Sequence, residues 1–271
     1  MEYFVKEDSI VRKIWGNADT VLFIFAGAAA EFAVNKAVDW LYFTGKLPAD
    51  PLGRLFSTVT YAQQILFATN EDACAAIDRI TAIHGQVESA RGEQIPDWAY
   101  RDVLFFLIDY SIRAFELLER QLTLEEKTEV FNVFCKVGVR MHLNGMPLNY
   151  PIWQLMREDH LQNNLEVSRF TEDLFTRYQK HLGVLRFQLL KQVQASMAPD
   201  RVTALLAFGS GNALRPAIFC YRLINDTKLQ TWVRELLLPV KYKAQIQAID
   251  LRNLYEEALR LGLFSRLIRQ T

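Results

Sequence analysis

The sequence contains few cysteines, and they are far apart. The three, Cys74, Cys135 and Cys220, are odd in number and form no Cys-x-x-Cys pair. A zinc knuckle needs closely spaced thiols and a disulfide framework usually needs an even number, so the spacing indicates neither. We therefore expect buried free thiols in a reducing compartment, the cytoplasm.

The chain also lacks net charge. Its 31 Lys and Arg residues balance its 31 Asp and Glu residues, which gives a formal net charge of +0. A protein whose main partner is nucleic acid usually presents a basic face, because it must neutralise phosphates. The neutral balance therefore predicts that nucleic acid is not a partner.

Long hydrophobic runs are absent. The most apolar stretch, residues 21–34, is interrupted by Glu31 and followed closely by charged residues. A membrane-spanning helix needs about 20 consecutive apolar residues. The first eight residues carry both charge signs and no apolar core, unlike a secretory signal. The sequence predicts neither a transmembrane segment nor a signal peptide.

Strand patterns and common catalytic motifs are missing as well. There is no Gly-x-Ser-x-Gly elbow, Walker motif or His-Glu-x-x-His pair. Helical periodicity recurs instead, with start signals such as Asp50-Pro51 and the Thr123/Glu126 capping pair. The sequence predicts a single all-α domain of roughly ten helices over residues 1–271. Its last helices, after Leu214, are expected to break near Pro239.

The most informative stretch begins at Asp50. Asp50 is suited to cap a helix whose first residue is Pro51. On that helix Arg54 and Thr58 are four residues apart, so they share one face. Such a pair is most often a solvated helix face, and the spacing alone does not assign it a role.

The next helix, which starts near Asn70, carries a histidine at a notable position. His84 fills the one open slot on a stripe that we expect to be buried, formed by Ala73, Ile77, Ile80 and Val87. A lone histidine on such a stripe is most often a core residue that hydrogen-bonds to a carbonyl or hydroxyl group. If its face meets that of Arg54, the two form a polar site within an apolar core.

Two carboxylates occur where burial is expected. Glu31 lies in an Ala-rich helix predicted to run to about Phe43, and a buried carboxylate needs a partner or a proton. We favour a structural salt bridge for Glu31 over a catalytic role. Asp109 follows a run that is apolar on all sides, and it can pair with Arg113 four residues later. The alternative is that Asp109 does not touch a bound ligand itself but orients it through a residue that does.

Two other histidines give a simpler prediction. His160 and His181 both lie among charged residues. We therefore expect them on the surface.

Two motifs together resemble those of a known family: Asp50-Pro51-x-x-Arg54-x-x-x-Thr58 and Ile83-His84-x-x-Val87. They are similar to the catalytic domain shared by rubber oxygenases (latex clearing proteins) and fungal mpaB oxygenases. The Ala-rich helix, the Asp109 helix and the helix start at Thr123 follow in the order expected of that family. The resemblance extends from about residue 14 to residue 202.

The resemblance implies an all-α, globin-like arrangement around a b-type haem. Residue by residue, His84 matches the proximal ligand of the haem iron, and Arg54 and Thr58 match a pair close to the haem. A neutral imidazole is a common haem ligand. An arginine can pair with a haem propionate or polarise bound oxygen.

The function implied by the resemblance is a haem b-dependent oxygenase that acts with O₂ on an apolar small molecule, such as an isoprenoid-like one. The alternative is a non-catalytic helical protein that binds haem or another apolar ligand. A third possibility keeps the fold without the cofactor and makes His84 an ordinary core residue.

Two departures from the family pattern bear on the substrate. Rubber-cleaving members have a lysine next to the motif threonine, where it can act as a distal ligand, but Ser57 occupies that position here. Many bacterial members carry Trp-Val-His in the following helix, where this chain has residues 106–108, Phe-Leu-Ile. These differences argue against rubber itself as the substrate.

Overall fold

The computed structural model describes residues 2–209 and 214–223, together with the single positions 241, 244 and 247. In these residues the prediction of an all-α fold is confirmed, and none of the helices is long and apolar enough to cross a membrane. The break expected near Pro239 lies outside the described residues. The described helices are α1 (Ile10–Trp15), α2 (Ala18–Ala33), α3 (Val38–Phe43), α4 (Lys46–Ala49), α5 (Pro51–Leu66), α6 (Asn70–Arg91), α7 (Asp97–Leu118), α8 (Leu124–Arg140), α9 (Tyr150–Asn163), α10 (Arg169–Met197), α11 (Asp200–Leu205) and α12 (Arg215–Leu223).

Local capping explains why several helices begin where the sequence predicts. The Asp50 carboxylate accepts a hydrogen bond from the amide of Gly53 at 3.0 Å, which caps α5. Thr123 and Glu126 form a reciprocal capping box at the start of α8. The helix start signals at both positions are therefore confirmed.

The core is centred on the packing of α2 against α7. The Ala-rich surface of α2 allows a close approach, and a side chain at Gly27 would collide with the ring of Tyr110. The α7 helix buries residues on nearly all sides, as its sequence predicts. Trp15 from α1 joins this core, and its indole N–H donates to Ser111 Oγ at 3.1 Å.

The Ala-rich helix ends earlier than predicted. It stops at Ala33 rather than continuing to Phe43, and α3 is a separate helix. The backbone in between pairs with the segment after α9: the Glu166 amide donates to the Val34 carbonyl at 2.7 Å. The Asn35 side chain also accepts from the Ala37 amide at 2.8 Å. Asparagine often makes such local bonds in place of helical ones, so Asn35 reinforces a break that the pairing of Val34 with Glu166 sets.

The α10 segment is a hairpin of two helical halves rather than one straight helix. Gly183 interrupts it with φ 73° and ψ 167°, a conformation open to glycine. The rings of Phe175 and Phe187 lie 6.2 Å apart, although twelve residues of straight helix would extend about 18 Å. Thr171 at the start of α10 and Gln194 near its end both donate to carbonyls of α2, so the two halves lie against the same helix. We call residues 169–197 the α10 hairpin.

The three cysteines are free, as predicted. Their burial differs from the expectation, because Cys74 and Cys135 are half-buried and Cys220 is exposed. Cys220 lies on α12, whose outer face carries it toward solvent.

Candidate functional site

Arg54 and Thr58 contact each other on α5. The Arg54 Nη1 donates to Thr58 Oγ1 at 2.8 Å and to Ser57 Oγ at 3.1 Å. Both hydroxyl groups in turn donate to the Arg54 carbonyl, at 3.1 Å from Thr58 and 2.8 Å from Ser57. The two hydroxyl groups therefore hold the guanidinium against its own helix.

The Arg54 charge is only partly solvated. The side chain is half-buried, and burial lowers the pKa of the guanidinium. Among the residues that the structure describes, no carboxylate forms an ion pair with it. A cation removed from water without a carboxylate is energetically costly, and an anionic ligand would offset that cost.

His84 on α6 lies close to this cation. Its ring packs edge to face against Tyr100 of α7, with ring centroids 5.1 Å apart. Its Nδ1 is buried and has no hydrogen-bond partner in the described part of the chain. Burial lowers the pKa of the imidazole, and the Arg54 charge lowers it further against a smaller opposing effect of Glu88. The ring is therefore neutral at physiological pH.

The stripe that contains His84 is less buried than predicted. Only the first turns of α6 bury residues, at Ala73, Ala76 and Ile77. From Ile80 onward the same face is half-buried, and a Cβ placed on Gly85 would meet no atom within 4 Å. On α5, residues 52–58 are likewise half-buried on every side. The helix faces around Arg54 and His84 therefore leave space rather than a closed core.

Tyr100 and Glu88 position the imidazole, and sequence reasoning missed both. The Tyr100 hydroxyl donates to Glu88 Oε1 at 3.1 Å, and the same oxygen accepts from the Ile95 amide at 2.9 Å. These bonds fix the tyrosine ring against which His84 packs. Glu88 lies one helical turn after His84, so the i, i+4 spacing was a signal available in the sequence.

A second polar cluster lies at the centre of the core. We call it the charge network; its six members are Glu31, Asp102, Asp109, Arg113, Arg157 and His160. Glu31 is fully buried on α2, and both of its carboxylate oxygens accept hydrogen bonds from the guanidinium of Arg157 on α9. The Tyr110 hydroxyl donates to Glu31 Oε2 at 3.0 Å. Burial alone would raise the pKa of Glu31, but Arg157 and His160 lower it to about 2.

Asp109 joins the charge network through two arginines. Its Oδ1 accepts from Arg113 Nε at 2.8 Å, which confirms the predicted pairing within α7. Its Oδ2 accepts from Arg157 Nη2 at 2.9 Å, a contact that sequence reasoning missed. Asp109 is therefore bound to the scaffold and pairs with neither Arg54 nor His84 among the described residues.

The prediction that His160 lies on the surface is wrong. It is 2% exposed, with Nε2 2.9 Å from Glu31 and Nδ1 2.7 Å from Asp102, the latter at an angle poor for a hydrogen bond. Burial lowers the pKa of His160, but the two carboxylates outweigh burial and raise it. The two carboxylates therefore favour the charged form of the ring. His181 is half-buried, 4.0 Å from Asp50.

The sequence contained a signal for this burial. Arg157 and His160 fall on the same α9 stripe as Trp153 and Leu161, all of which are buried. The charges that flank His160, Glu158 and Asp159, point to the opposite side and are exposed. Neighbouring charges along the chain therefore misled the prediction, while helical spacing would have corrected it.

The two polar clusters differ in what they can do chemically. Each charge in the charge network faces a partner of opposite sign, so the network is a satisfied structural core, as favoured for Glu31. In the described part of the chain, by contrast, Arg54 has no ion-pair partner and His84 Nδ1 has no hydrogen-bond partner. The described residues contain no group of three His, Cys, Asp or Glu side chains that could hold a metal ion.

Comparison with known proteins gives one family. The family model described as "ER-bound oxygenase mpaB/B'/Rubber oxygenase, catalytic domain" matches residues 12–234. No curated protein and no solved structure shows a significant match.

Proposed function

The chain belongs to this family of oxygenase catalytic domains, and on that premise we propose that it is a haem b-dependent oxygenase. In this proposal it uses O₂ to oxidise an apolar, isoprenoid-like small molecule. His84 would ligate the haem iron, and Arg54 and Thr58 would contact the haem from α5.

The donor set suits a haem. A neutral imidazole is the ligating form of histidine, and the lowered pKa of His84 keeps it neutral. A haem carries anionic propionates, and Arg54 is a partly buried cation without a carboxylate partner among the described residues. The half-buried aliphatic side chains Leu52, Leu55 and Ile80 can contact an apolar macrocycle.

Each residue then has a definite task. Haem supplies the iron at which O₂ is reduced and the substrate oxidised. Tyr100 packs against the His84 ring and fixes its orientation. Thr58 and Ser57 hold the Arg54 guanidinium, so that it can bind a propionate without losing further conformational freedom.

One observation carries the proposal. Arg54 is close enough to lower the pKa of His84, yet no described carboxylate forms an ion pair with Arg54 and no described residue hydrogen-bonds to His84 Nδ1. In the charge network, by contrast, each charged group is paired. A buried polar atom without a hydrogen-bond partner, close to a cation without an ion-pair partner, is a candidate for ligand binding.

The experiment is a visible absorption spectrum of the purified protein, before and after addition of haemin. We expect a Soret band, and O₂ consumption when isoprenoid substrates and a suitable reductant are supplied. The absence of any Soret band after reconstitution would refute the haem assignment.

The second candidate function is a non-catalytic haem-binding protein. It is favoured by Ser57, which stands where rubber-cleaving members have a lysine and whose hydroxyl is bound to Arg54 rather than directed at a ligand. A Soret band without O₂ consumption by any isoprenoid tested would support this candidate over the oxygenase.

A further inference from the structure

The tip of the α10 hairpin exposes adjacent aliphatic side chains. Val184 and Leu185 are 61% and 86% exposed. They follow Gly183, and a Cβ placed on that glycine would meet no atom within 4 Å, so the turn is open to solvent. The residues on either side, Leu182 and Phe187, pack into the protein with Leu47 and Tyr178, so the tip projects from a firmly anchored base.

The α10 hairpin is also basic, although the chain as a whole is neutral. Between Asp173 and Asp200 the sequence has no acidic residue, and in the same stretch it carries Arg177, Lys180, His181, Arg186 and Lys191. Lys180, three residues before the turn, is exposed. Lys46 is exposed on α4, whose Leu47 packs against the base of the same hairpin.

The nearest carboxylates do not cancel this charge. Asp173 pairs with Arg177 at 2.6 Å. Asp50 lies 4.0 Å from His181 and pairs with Lys241 at 2.8 Å. Asp173 and Asp50 are therefore each matched by a base, and among the described residues no carboxylate forms an ion pair with Lys180 or Lys46.

We propose that this tip docks on an anionic lipid bilayer, with Val184 and Leu185 inserted among the acyl chains and Lys180 and Lys46 at the headgroups. Aliphatic insertion combined with basic flanking residues is the combination that gives peripheral proteins useful membrane affinity, because each contribution alone is marginal. The long lysine side chains can lie along the interface while their amino groups stay among phosphates.

The shape of the tip favours lipid over a protein partner. A stable protein interface buries about 800 Å² per partner, and two aliphatic side chains on a convex turn cannot supply that area. A fluid bilayer requires no complementary groove. The charge complementarity is also with phosphate groups spread over a surface rather than with a single carboxylate.

Docking in this orientation would bring the start of α5 toward the membrane, since Asp50, the cap of that helix, lies beside His181 of the α10 hairpin. Arg54 follows one turn later on α5. The docking itself does not depend on haem, and vesicle binding can be measured whether or not the proposed oxygenase activity is found.

The test is co-sedimentation of the full chain with vesicles of phosphatidylcholine, and with vesicles in which about a third of the lipid is phosphatidylserine. We expect binding to the anionic vesicles and little to the neutral ones. Leu185→Asp should lower the partition coefficient about ten-fold or more, because one leucine side chain no longer leaves water. Lys180→Gln should lower it about five-fold.

Leu148→Asp is the matched control, because Leu148 is 93% exposed but lies outside the α10 hairpin, between α8 and α9. It should bind as the unaltered protein does. A Leu185→Trp variant should show fluorescence quenching by brominated lipids. Absence of binding to anionic vesicles, equal binding to both vesicle types, equal losses from Leu185→Asp and Leu148→Asp, or an unquenched Leu185→Trp would each overturn the proposal.

Discussion

Arg157 binds both carboxylate oxygens of Glu31 through its two terminal nitrogens, in a contact from which water is almost excluded. The pair joins α9 to α2 across 126 positions of sequence. Removing one partner of a buried ion pair costs far more than the pair contributes, because the other charge is left in a medium of low polarity. The charge network is therefore the place where a single substitution should affect stability most.

Glu31→Gln should lower the free energy of unfolding by about 3–5 kcal/mol, a large part of the total for a domain. Urea denaturation followed by circular dichroism measures it. Asp78→Asn is the control, because Asp78 forms an exposed pair with Arg140 and its loss should be within error. Equal stability of Glu31→Gln and the unaltered protein would contradict the role assigned to Glu31.

Acid should weaken the same contact. The pKa of Glu31 is lowered from 4.5 to about 2 in the folded protein, so its contribution is complete above pH 4.5 and is lost as the pH falls toward 2. Glu31→Gln should lack that part of the acid dependence. Urea titrations of both proteins, each at the same two acidic pH values, test this directly.

His160 should give stability the opposite dependence on pH. Its pKa is raised above the ordinary 6.5, so its contribution is complete below pH 6.5 and is lost as the pH rises through the higher folded-state value. Unfolding measured from neutral to alkaline pH should show this loss, and His160→Gln should remove it. His142→Asn is the control at an exposed histidine with a positive φ, a conformation that asparagine tolerates. The same alkaline loss in His160→Gln as in the parent would assign it to another group.

The Asp109→Asn variant shows whether Asp109 stabilises the fold or supports the haem ligand. Because Asp109 contacts Arg113 and Arg157 and not His84, we expect lower stability and an unchanged haem spectrum and reduction potential. The loss should be smaller than in Glu31→Gln, since Asp109 and its partner Arg113 are partly exposed whereas Glu31 is fully buried. A shifted spectrum in a variant of normal stability would instead place Asp109 in support of the cofactor.

His84→Ala should abolish or greatly reduce haem binding while the helical content stays largely intact, because the side chain is only half-buried. Haem titration followed at the Soret band, together with far-UV circular dichroism, gives both readouts. His181→Ala serves as the control histidine, also half-buried but beside Asp50. Full haem occupancy with an unaltered spectrum in His84→Ala would exclude His84 as the ligand.

Arg54→Gln should raise the pKa of His84 in the haem-free protein. The Arg54 charge is one cause of the lowered value, and glutamine removes it while keeping similar bulk. Titration of the His84 ring protons by NMR measures the shift, with Arg140→Gln as a control at an exposed arginine. An unmoved His84 titration would mean that the two groups are electrically independent.

The sequence predicted those features of the fold that depend on local chemistry. Asp50 and Thr123 mark helix starts because their side chains bond to amides three residues away, and Asp109 finds Arg113 one turn along the same helix. The end of the Ala-rich helix at Ala33 was not predictable in this way. It depends on backbone pairing of Val34 with Glu166, far along the chain.

In the candidate site, too, local spacing predicts some features while others depend on contacts between distant parts of the chain. The common face of Arg54 and Thr58 follows from helical spacing, and their contact is present. The stripe around His84 was expected to be buried, but its half-exposed state depends on how α5, α6 and α7 are spaced. Helical spacing on α9 indicates that His160 is buried, but its partners Glu31 and Asp102 come from α2 and α7, and no local pattern identifies them.

The α10 hairpin folds back on itself over a short stretch of sequence, so we expect it to form earlier than the charge network. Phe175 and Phe187 close a loop of only twelve residues, so their contact costs little chain entropy and can form early. The charge network joins positions up to 129 apart and can close only after α2, α7 and α9 have assembled. Its charged groups then lose water one after another at the end of assembly, so a chain whose three helices are misaligned has no low-energy place to bury them.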